Sequence, residues 1–100
     1  MRLSPDQTIE LAEMLHIMGE ANRLGILLCC LETERAVSDI AAELSLTPSL
    51  VSHHLRLLRG ARLVRARRQG KQVFYSAADA HVRSVIADLV AHVGEDEAEG

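Results

Sequence analysis

The sequence predicts a mostly α-helical fold with one small β-hairpin, and three observations lead to that prediction. Apolar residues recur at helical spacing along most of the chain. Two short strand-like runs flank a glycine near residue 70. A tight turn at residues 45–48 joins two short helical patterns. A length of 100 residues is that of one small domain with a thin core, so we expect residues 1–100 to form a single domain.

The first two helices are predicted from a capping signal and from two apolar patterns. Ser4 is an N-cap candidate, followed by Pro5 at the first helical position and Asp6 in the first turn. This helix is expected to reach about Met18, and the second is expected over residues 21–31. The apolar side of the first helix comprises Ile9, Leu11, Met14, Leu15 and Met18. The positions of the second helix that are expected to pack inward are Leu24, Ile26, Leu27, Leu28 and Leu31.

The next segment predicts two short helices joined by a tight turn, after a polar connection at residues 32–35. Ser38 is the N-cap candidate of a helix that ends near Leu44. Thr47 is expected to cap the following helix, which Pro48 opens and which ends by Gly60. The apolar positions of that helix are Leu50, Val51, Leu55 and Leu58.

A hairpin and a last helix complete the prediction. Residues 63–67 and 72–76 are the two strands, and residues 68–71 form the turn with Gly70 at its tip. The last helix is expected over about residues 78–93, with Gly94 ending it and residues 95–100 forming an acidic tail. Its apolar stripe comprises Val82, Val85, Ile86, Leu89, Val90 and Val93. Helices at about 37–60 followed by a basic hairpin at about 63–76 are typical of a winged helix-turn-helix.

The charge distribution favours a polyanionic partner. The net charge is −3, but residues 44–78 carry seven basic residues and no acidic one, whereas the segments on either side each sum to −5. A basic block confined to one segment is the electrostatic footprint of nucleic acid binding. The alternative interpretation is a solvated basic face.

The predicted second helix of the pair has polar side chains on the face opposite its apolar positions. A helix of this kind fits the major groove of B-DNA, and hydroxyl, imidazole and guanidinium groups suit base edges and phosphates. His54 is expected to face the protein instead. The predicted DNA contacts are Thr47, Ser49, Ser52, His53 and Arg56, with Arg67, Arg68, Gln69 and Lys71 of the hairpin.

The last helix carries a candidate metal site formed by Asp79, His81, His92 and Glu95. The two histidines are eleven residues apart, which puts them on one face but about 16 Å apart along the helix axis. One ion cannot bridge that distance. An antiparallel copy of the helix would bring Asp79 and His81 of one chain next to His92 and Glu95 of the other, giving two equivalent sites in a homodimer. The alternative is that these side chains are solvated and that Asp79 is only an N-cap.

Two imidazoles and two carboxylates suit Zn²⁺ first, with Co²⁺ as a laboratory analogue. Four protein ligands leave no open position, which indicates a structural or regulatory site. We expect the homodimer to form through the N- and C-terminal helices. The predicted interface residues are Leu11, Leu15, Val82, Val85, Ile86 and Leu89.

Other features limit the classes of function. The longest apolar run, residues 26–31, is far shorter than the ~20 residues of a membrane helix, and the N-terminus has no signal pattern. Cys29 and Cys30 are adjacent and are interpreted as small core residues rather than a disulfide or a thiol sensor. A cytoplasmic location is therefore expected. No catalytic arrangement or phosphate-cradling glycine loop is present, so an enzyme is not expected.

From about Ala12 to Glu95 the chain resembles the ArsR/SmtB family of dimeric bacterial metal-sensing repressors. The residues that carry the resemblance are Glu20-Ala21-Asn22-Arg23-Leu24, Val37-Ser38-Asp39-Ile40-Ala41, Ser49-Leu50-Val51-Ser52-His53-His54-Leu55, Leu63-Val64 and Gly70-Lys71-Gln72-Val73-Phe74-Tyr75. Asp79-x-His81 with His92-x-x-Glu95 looks like the ligand set of its zinc-responsive branch. The resemblance implies that the metal-free dimer binds an operator and that metal releases it, which derepresses an efflux or sequestration gene.

The chain also departs from the family. Many members carry a Cys-x-Cys site where this chain has Ala36 and Ser38, so that soft-metal site is absent. Nickel-responsive relatives tend to have additional C-terminal histidines, and none follows His92 here. Zinc is therefore expected as the metal, with Ni²⁺ or Co²⁺ as alternatives. Three other functions also remain open: a sensor of thiol oxidants, a winged-helix DNA binder without a metal response, and a module whose last helix only dimerises.

Overall fold

The computed structural model describes residues 1–99 and the side chains of residues 1–95. Within that part of the chain, the order of elements is α1 (Pro5–Met18), α2 (Ala21–Cys29), β1 (Arg35–Ala36), α3 (Val37–Leu44), α4 (Pro48–Gly60), β2 (Val64–Gln69), β3 (Gln72–Ala77) and α5 (Ala80–Glu99). The three strands form one antiparallel sheet in the order β1-β3-β2. The predicted fold class, helical with a small hairpin wing, is confirmed.

Two helix starts follow the capping signals in the sequence. The Ser4 hydroxyl accepts a hydrogen bond from the Gln7 backbone N–H at 3.1 Å, and the Gln7 side chain accepts one from the Ser4 N–H at 2.9 Å. This reciprocal pair satisfies two amide donors that the first helical turn leaves free. The Thr47 hydroxyl likewise accepts from the Leu50 N–H at 3.1 Å, with Pro48 opening α4. Both predicted starts are confirmed.

The start of α3 differs from the prediction. Ala36, not Ser38, is the N-cap, and it makes no side-chain capping bond. The reason is the short strand β1, in which Arg35 pairs with Tyr75 and Ala36 pairs with Phe74 of β3. The chain therefore enters α3 directly from the sheet. Residues 32–35, predicted as a simple connection, contribute the edge strand.

The end of the last helix also differs. The sequence predicts that the last helix spans about residues 78–93 and that Gly94 ends it, but α5 begins at Ala80 and runs through Gly94 to Glu99. A glycine ends a helix when it adopts a left-handed conformation. Among the described glycines, only Gly70 has a positive φ, +63°, at the tip of the hairpin. Gly94 stays helical, at a cost of roughly 1 kcal/mol relative to alanine.

The core lies where α2, α3 and α4 meet the base of the sheet. Its fully buried side chains are Ile26, Leu27, Cys30, Ile40, Val51, Leu55 and Leu58. Several positions predicted on apolar sides are not buried. Leu28 is 40% exposed and Leu50 is 37% exposed, and α1 buries none of its residues, with Ile9 59% exposed. α2 ends at Cys29 rather than Leu31, and Leu31 is still buried.

The adjacent leucines of α2 give a direct test of this packing. Leu27→Ala removes a side chain with no exposed surface and should lower the free energy of unfolding by roughly 2–5 kcal/mol. Leu28→Ala, at the half-exposed neighbour, should cost distinctly less. Urea unfolding at one fixed protein concentration measures both variants, and equal losses would contradict this assignment of the core.

Candidate functional site

Helix α4 presents two chemically different faces. Val51, Leu55 and Leu58 are buried on one side. Ser49, His53 and Arg56 are exposed on the other, and Ser52 is half-buried. These four lie within about 100° of one another on a helical projection. The α3–turn–α4 arrangement therefore displays hydroxyl, imidazole and guanidinium groups on one surface of the second helix. Thr47 lies at the N-terminal edge of that surface, where its hydroxyl is engaged in the cap.

His54, adjacent to His53, points into the protein as predicted and is 7% exposed. Its Nδ1 lies 3.5 Å from Arg23 Nη1, and its Nε2 lies 4.0 Å from a carboxylate oxygen of Glu20. Burial lowers the pKa of the His54 imidazole, the Glu20 carboxylate opposes that shift, and Arg23 and His53 add to it. The ring is thus held in its neutral form at neutral pH.

Glu20, one of the residues that carry the family resemblance, is the acidic neighbour of His54. Its carboxylate caps α2 by accepting hydrogen bonds from the backbone N–H groups of Asn22 at 3.1 Å and Arg23 at 2.9 Å. These bonds lower the pKa of Glu20. The Arg23 side chain donates to the Ile17 carbonyl at 2.8 Å. The corner between α1 and α2 is therefore linked to the buried side of α4 through His54.

The hairpin extends this polar surface with cations. Arg68, Gln69 and Lys71 are exposed at and near the turn. Arg67 is also exposed, but both Nε and Nη2 of its guanidinium donate to the Glu34 carboxylate, at 2.8 and 2.9 Å. This pair raises the pKa of Arg67 and lowers that of Glu34. The structure thus places all four predicted hairpin residues on the surface, and it shows that one of them, Arg67, is paired with the carboxylate of Glu34.

The predicted metal-binding residues lie on the surface at two separate positions along α5. Asp79 precedes the helix, where one carboxylate oxygen accepts from the Val82 N–H at 3.0 Å. His81 lies in the first turn, and His92 and Glu95 lie about three turns further on. All four are exposed. Among the described residues of one chain, no three His, Cys, Asp or Glu side chains are arranged to hold a metal ion.

Asp88 lies on the same face of α5 as these histidines, and the candidate metal site predicted from the sequence did not include it. On a helical projection it falls about 20° from His81 and about 40° from His92. The same arithmetic that related the two histidines would have identified it. Its carboxylate is exposed and lies one turn before His92.

An apolar groove of about 450 Å³ runs between α1 and α5. Its residues include Leu11, Leu15, Val82, Val85 and Ile86, together with Asp79 and His81 at one edge. Leu11, Leu15, Val85 and Leu89, all predicted at the dimer interface, are 44–55% exposed. Val82 is half-buried and Ile86 is only 4% exposed, because both pack against the core of their own chain. Arg62, which lines the groove from the segment between α4 and β2, makes an ion pair with Glu10 of α1.

The cysteines lie apart from these surfaces. Cys30 is fully buried, and Cys29 donates through Sγ to the Glu43 carboxylate at 2.9 Å. Burial first, and then the Glu43 carboxylate, raise the pKa of Cys29 to about 12, and burial raises that of Cys30 to about 11. Since the thiolate is the reactive form, neither side chain is activated for redox chemistry.

The exposed polar face of α4 beside a basic hairpin defines a winged helix-turn-helix regulator of the DNA-binding class. A family model described as "Bacterial regulatory protein, arsR family" matches residues 20–66, which contain α2 to α4 and the start of the hairpin. The chain belongs to the ArsR family of bacterial transcriptional regulators, which the relatives below bear out. It is not an enzyme. None of the helices described here is long and apolar enough to cross a membrane.

Two curated relatives and one solved structure extend the comparison. The transcriptional repressor SmtB homolog of Synechocystis is 37% identical over 95 residues, which cover 95% of this chain and 72% of that protein. A cadmium resistance transcriptional regulatory protein CadC homolog of Staphylococcus aureus is 30% identical over 94 residues, covering 93% and 78%. The homodimeric winged helix-turn-helix DNA-binding domain of Mb0332 from Mycobacterium bovis superposes with a TM-score of 0.82 at 29% identity, covering 97% and 92%.

The polar face of α4 can be tested at Arg56, which is exposed on it. Arg56→Ala should weaken binding to duplex DNA and reduce the salt dependence of the affinity, because one phosphate or base contact per chain is lost. Fluorescence anisotropy at several salt concentrations measures both quantities. Arg83→Ala is the charge-matched control on α5. Equal affinities and equal salt dependences of the two variants would mean that Arg56 of α4 does not contact DNA.

The buried histidine gives a pH prediction. The pKa of folded His54 lies below its ordinary value of 6.5, so the unfolded chain binds a proton that the folded chain resists. Its contribution to stability is complete above pH 6.5 and is lost as the pH falls toward the folded-state pKa. His54→Asn should therefore flatten the decline of unfolding free energy between pH 7 and 5.5. His53→Asn, at the exposed neighbour, should leave that decline in place, and the opposite ranking would refute the assignment.

Proposed function

We propose that the chain is a metal-responsive transcriptional repressor whose homodimer binds operator DNA and is released by Zn²⁺ held between paired α5 helices. The observation that carries the proposal is the form of α5. It is one unbroken helix of 20 residues that displays a pair of metal donors at each of two positions, with exposed apolar side chains between them. A cytoplasmic location, where operator DNA is found, follows from this function.

The spacing of the donors requires a second chain. The positions of His81 and His92 differ by about 16 Å along the axis, and one chain offers no cluster of three ligands in its described part. Val85 and Leu89, which are 51% and 55% exposed, lie beside the histidines on the helical projection. A partner helix that covers these two side chains would run next to the histidines, and an antiparallel arrangement would unite the two donor pairs.

The donor chemistry fits zinc. Asp79 uses one carboxylate oxygen to cap α5 and retains the other for an ion. The set of two imidazoles and two carboxylates would complete a four-coordinate site without an open position. Such a site would supply a fixed link between two helices rather than a reactive water. Ni²⁺ accepts the same ligand types with a different geometry, whereas Co²⁺ can adopt the same tetrahedral geometry as zinc. The cadmium resistance relative supports a metal as the signal.

The backbone connects Asp79 and His81 to the proposed DNA surface. Strand β3 ends at Ala77, two residues before Asp79. The Ala78 N–H donates to the Leu63 carbonyl at 3.0 Å, which ties this junction to the segment between α4 and β2. A change in the placement of α5 is thereby passed to the wing and to the end of α4. Coupling between two sites typically amounts to about 1–3 kcal/mol and is reciprocal, so DNA should weaken zinc binding by the same factor.

The proposal can be tested with a duplex selected by the wild-type protein from a random library. Zn²⁺ should lower the affinity of the wild type for this duplex by about 5- to 150-fold. His81→Ala and His92→Ala should keep the metal-free affinity and lose the zinc effect, since each removes one ligand per site. Anisotropy titrations with and without Zn²⁺ provide the measurement.

His16→Ala is the matched control, because His16 is an exposed histidine on α1 outside the donor set. It should respond to Zn²⁺ as the wild type does. If both α5 variants still release DNA with zinc, the assigned ligands are wrong. If the wild type binds DNA but no metal changes its affinity, the chain is a winged-helix DNA binder with a different signal or none.

A further inference from the structure

The ion pair between Glu34 and Arg67 is the feature of the wing that DNA binding as proposed does not explain. Arg67 is in β2, and Glu34 immediately precedes β1. The two strands are not neighbours, because β3 lies between them. Arg67 pairs in register with Phe74 of β3, and its guanidinium carbon lies 5.4 Å from the centre of the Phe74 ring. The arginine therefore extends over β3 to reach the carboxylate.

This contact uses the Nε–Nη2 edge of the guanidinium, one of the edges through which arginine binds a phosphate. Nε and Nη2 of Arg67 both donate to the Glu34 carboxylate, and Nη2 also donates to the Gln69 side chain at 3.3 Å. A bidentate arginine recognises carboxylate and phosphate through the same fork of N–H groups. The Glu34 carboxylate thus occupies the place of a phosphate on a residue that faces solvent.

Arg67 differs from the other cations of the wing in having a carboxylate partner among the described residues. Within the described part of the chain, Arg67 is the wing cation that makes an ion pair with a carboxylate. Arg65 on the same face of the sheet donates instead to the Ser76 hydroxyl at 3.2 Å. One of the predicted DNA contacts of the wing is therefore paired with a carboxylate of its own chain.

Resting on the proposed DNA-binding function, we propose that Glu34 competes with DNA phosphate for Arg67 and so limits the affinity of the wing for DNA of any sequence. An exposed ion pair exchanges partners at little cost, so Arg67 can transfer from Glu34 to a phosphate at a well-fitted operator. At a random sequence, where few other contacts form, the carboxylate holds the arginine. Glu34 thus lowers the affinity for both kinds of site, although it does not itself bind DNA.

The test measures binding of the full chain to a random-sequence duplex over a range of salt concentrations. Glu34→Gln should tighten this binding by about threefold to tenfold. The slope of log affinity against log salt should steepen by about 0.9 for each wing that engages the duplex, because a free cation now displaces a counterion. The operator affinity should rise by at least the same factor, because the wild type must break the pair before Arg67 can bind a phosphate there.

Glu32→Gln is the matched control. Glu32 is exposed two residues earlier in the same connection, so its substitution removes the same charge without freeing Arg67. The Arg67→Ala background completes a double-mutant cycle, in which Glu34→Gln should have no effect beyond that of Glu32→Gln. Far-ultraviolet circular dichroism and thermal unfolding check that each variant folds.

Three results would overturn the competition. The first is equal binding by Glu34→Gln and Glu32→Gln, which would reduce the effect to general charge. The second is weaker binding by Glu34→Gln, which would mean that Glu34 orients Arg67 toward DNA. The third is equal tightening by Glu34→Gln in the absence of Arg67. Failure of the wild type to bind any duplex would instead refute the proposed function, and the competition with it.

Discussion

The burial of one face of α4 is the constraint on which the rest of the structure depends. Val51, Leu55 and Leu58 have almost no exposed surface, and they fix the rotation of the helix against α2 and α3. That rotation decides which side chains remain outside. A helix with 3.6 residues per turn that buries these three must present Arg56 and its polar neighbours to solvent. Packing energy, rather than any contact with DNA, thereby places the proposed recognition surface, and the basic hairpin extends it.

A second constraint is the surplus of exposed apolar surface on α5. Soluble monomers rarely display large continuous apolar patches, yet Val85, Leu89, Val90 and Val93 are 50–63% exposed along this helix. A small chain gains a larger core by pairing such a surface with a second copy. Pairing would also explain why the proposed metal donors are divided between two positions about 16 Å apart on one helix. Dimerisation and metal binding would then both depend on the pairing of the two α5 helices.

Local chemistry was predictable from the sequence, and long-range pairing was not. The caps at Ser4 and Thr47 follow from residue type and neighbours within four positions, so they were identified. The start of α3 was misplaced because β1 depends on a strand about 40 residues away. Gly94 was misjudged because glycine permits a helix end without requiring one. The contact between Glu34 and Arg67 spans 33 residues and crosses an intervening strand, and no periodicity in the sequence signals it.

The most direct measurement of the inter-chain metal site is subunit complementation with Co²⁺. His81→Ala and His92→Ala chains should each lack the intense visible bands of tetrahedral Co²⁺. In a mixed dimer, one site loses both histidines and the other keeps its full ligand set. When equal amounts of the two chains exchange freely, half of the dimers are mixed, and each mixed dimer has one intact site of its two. A quarter of all sites are then intact, so about a quarter of the wild-type absorbance should return. Return of these bands only on mixing is the predicted result. Bands that never return would contradict a site shared between two α5 helices.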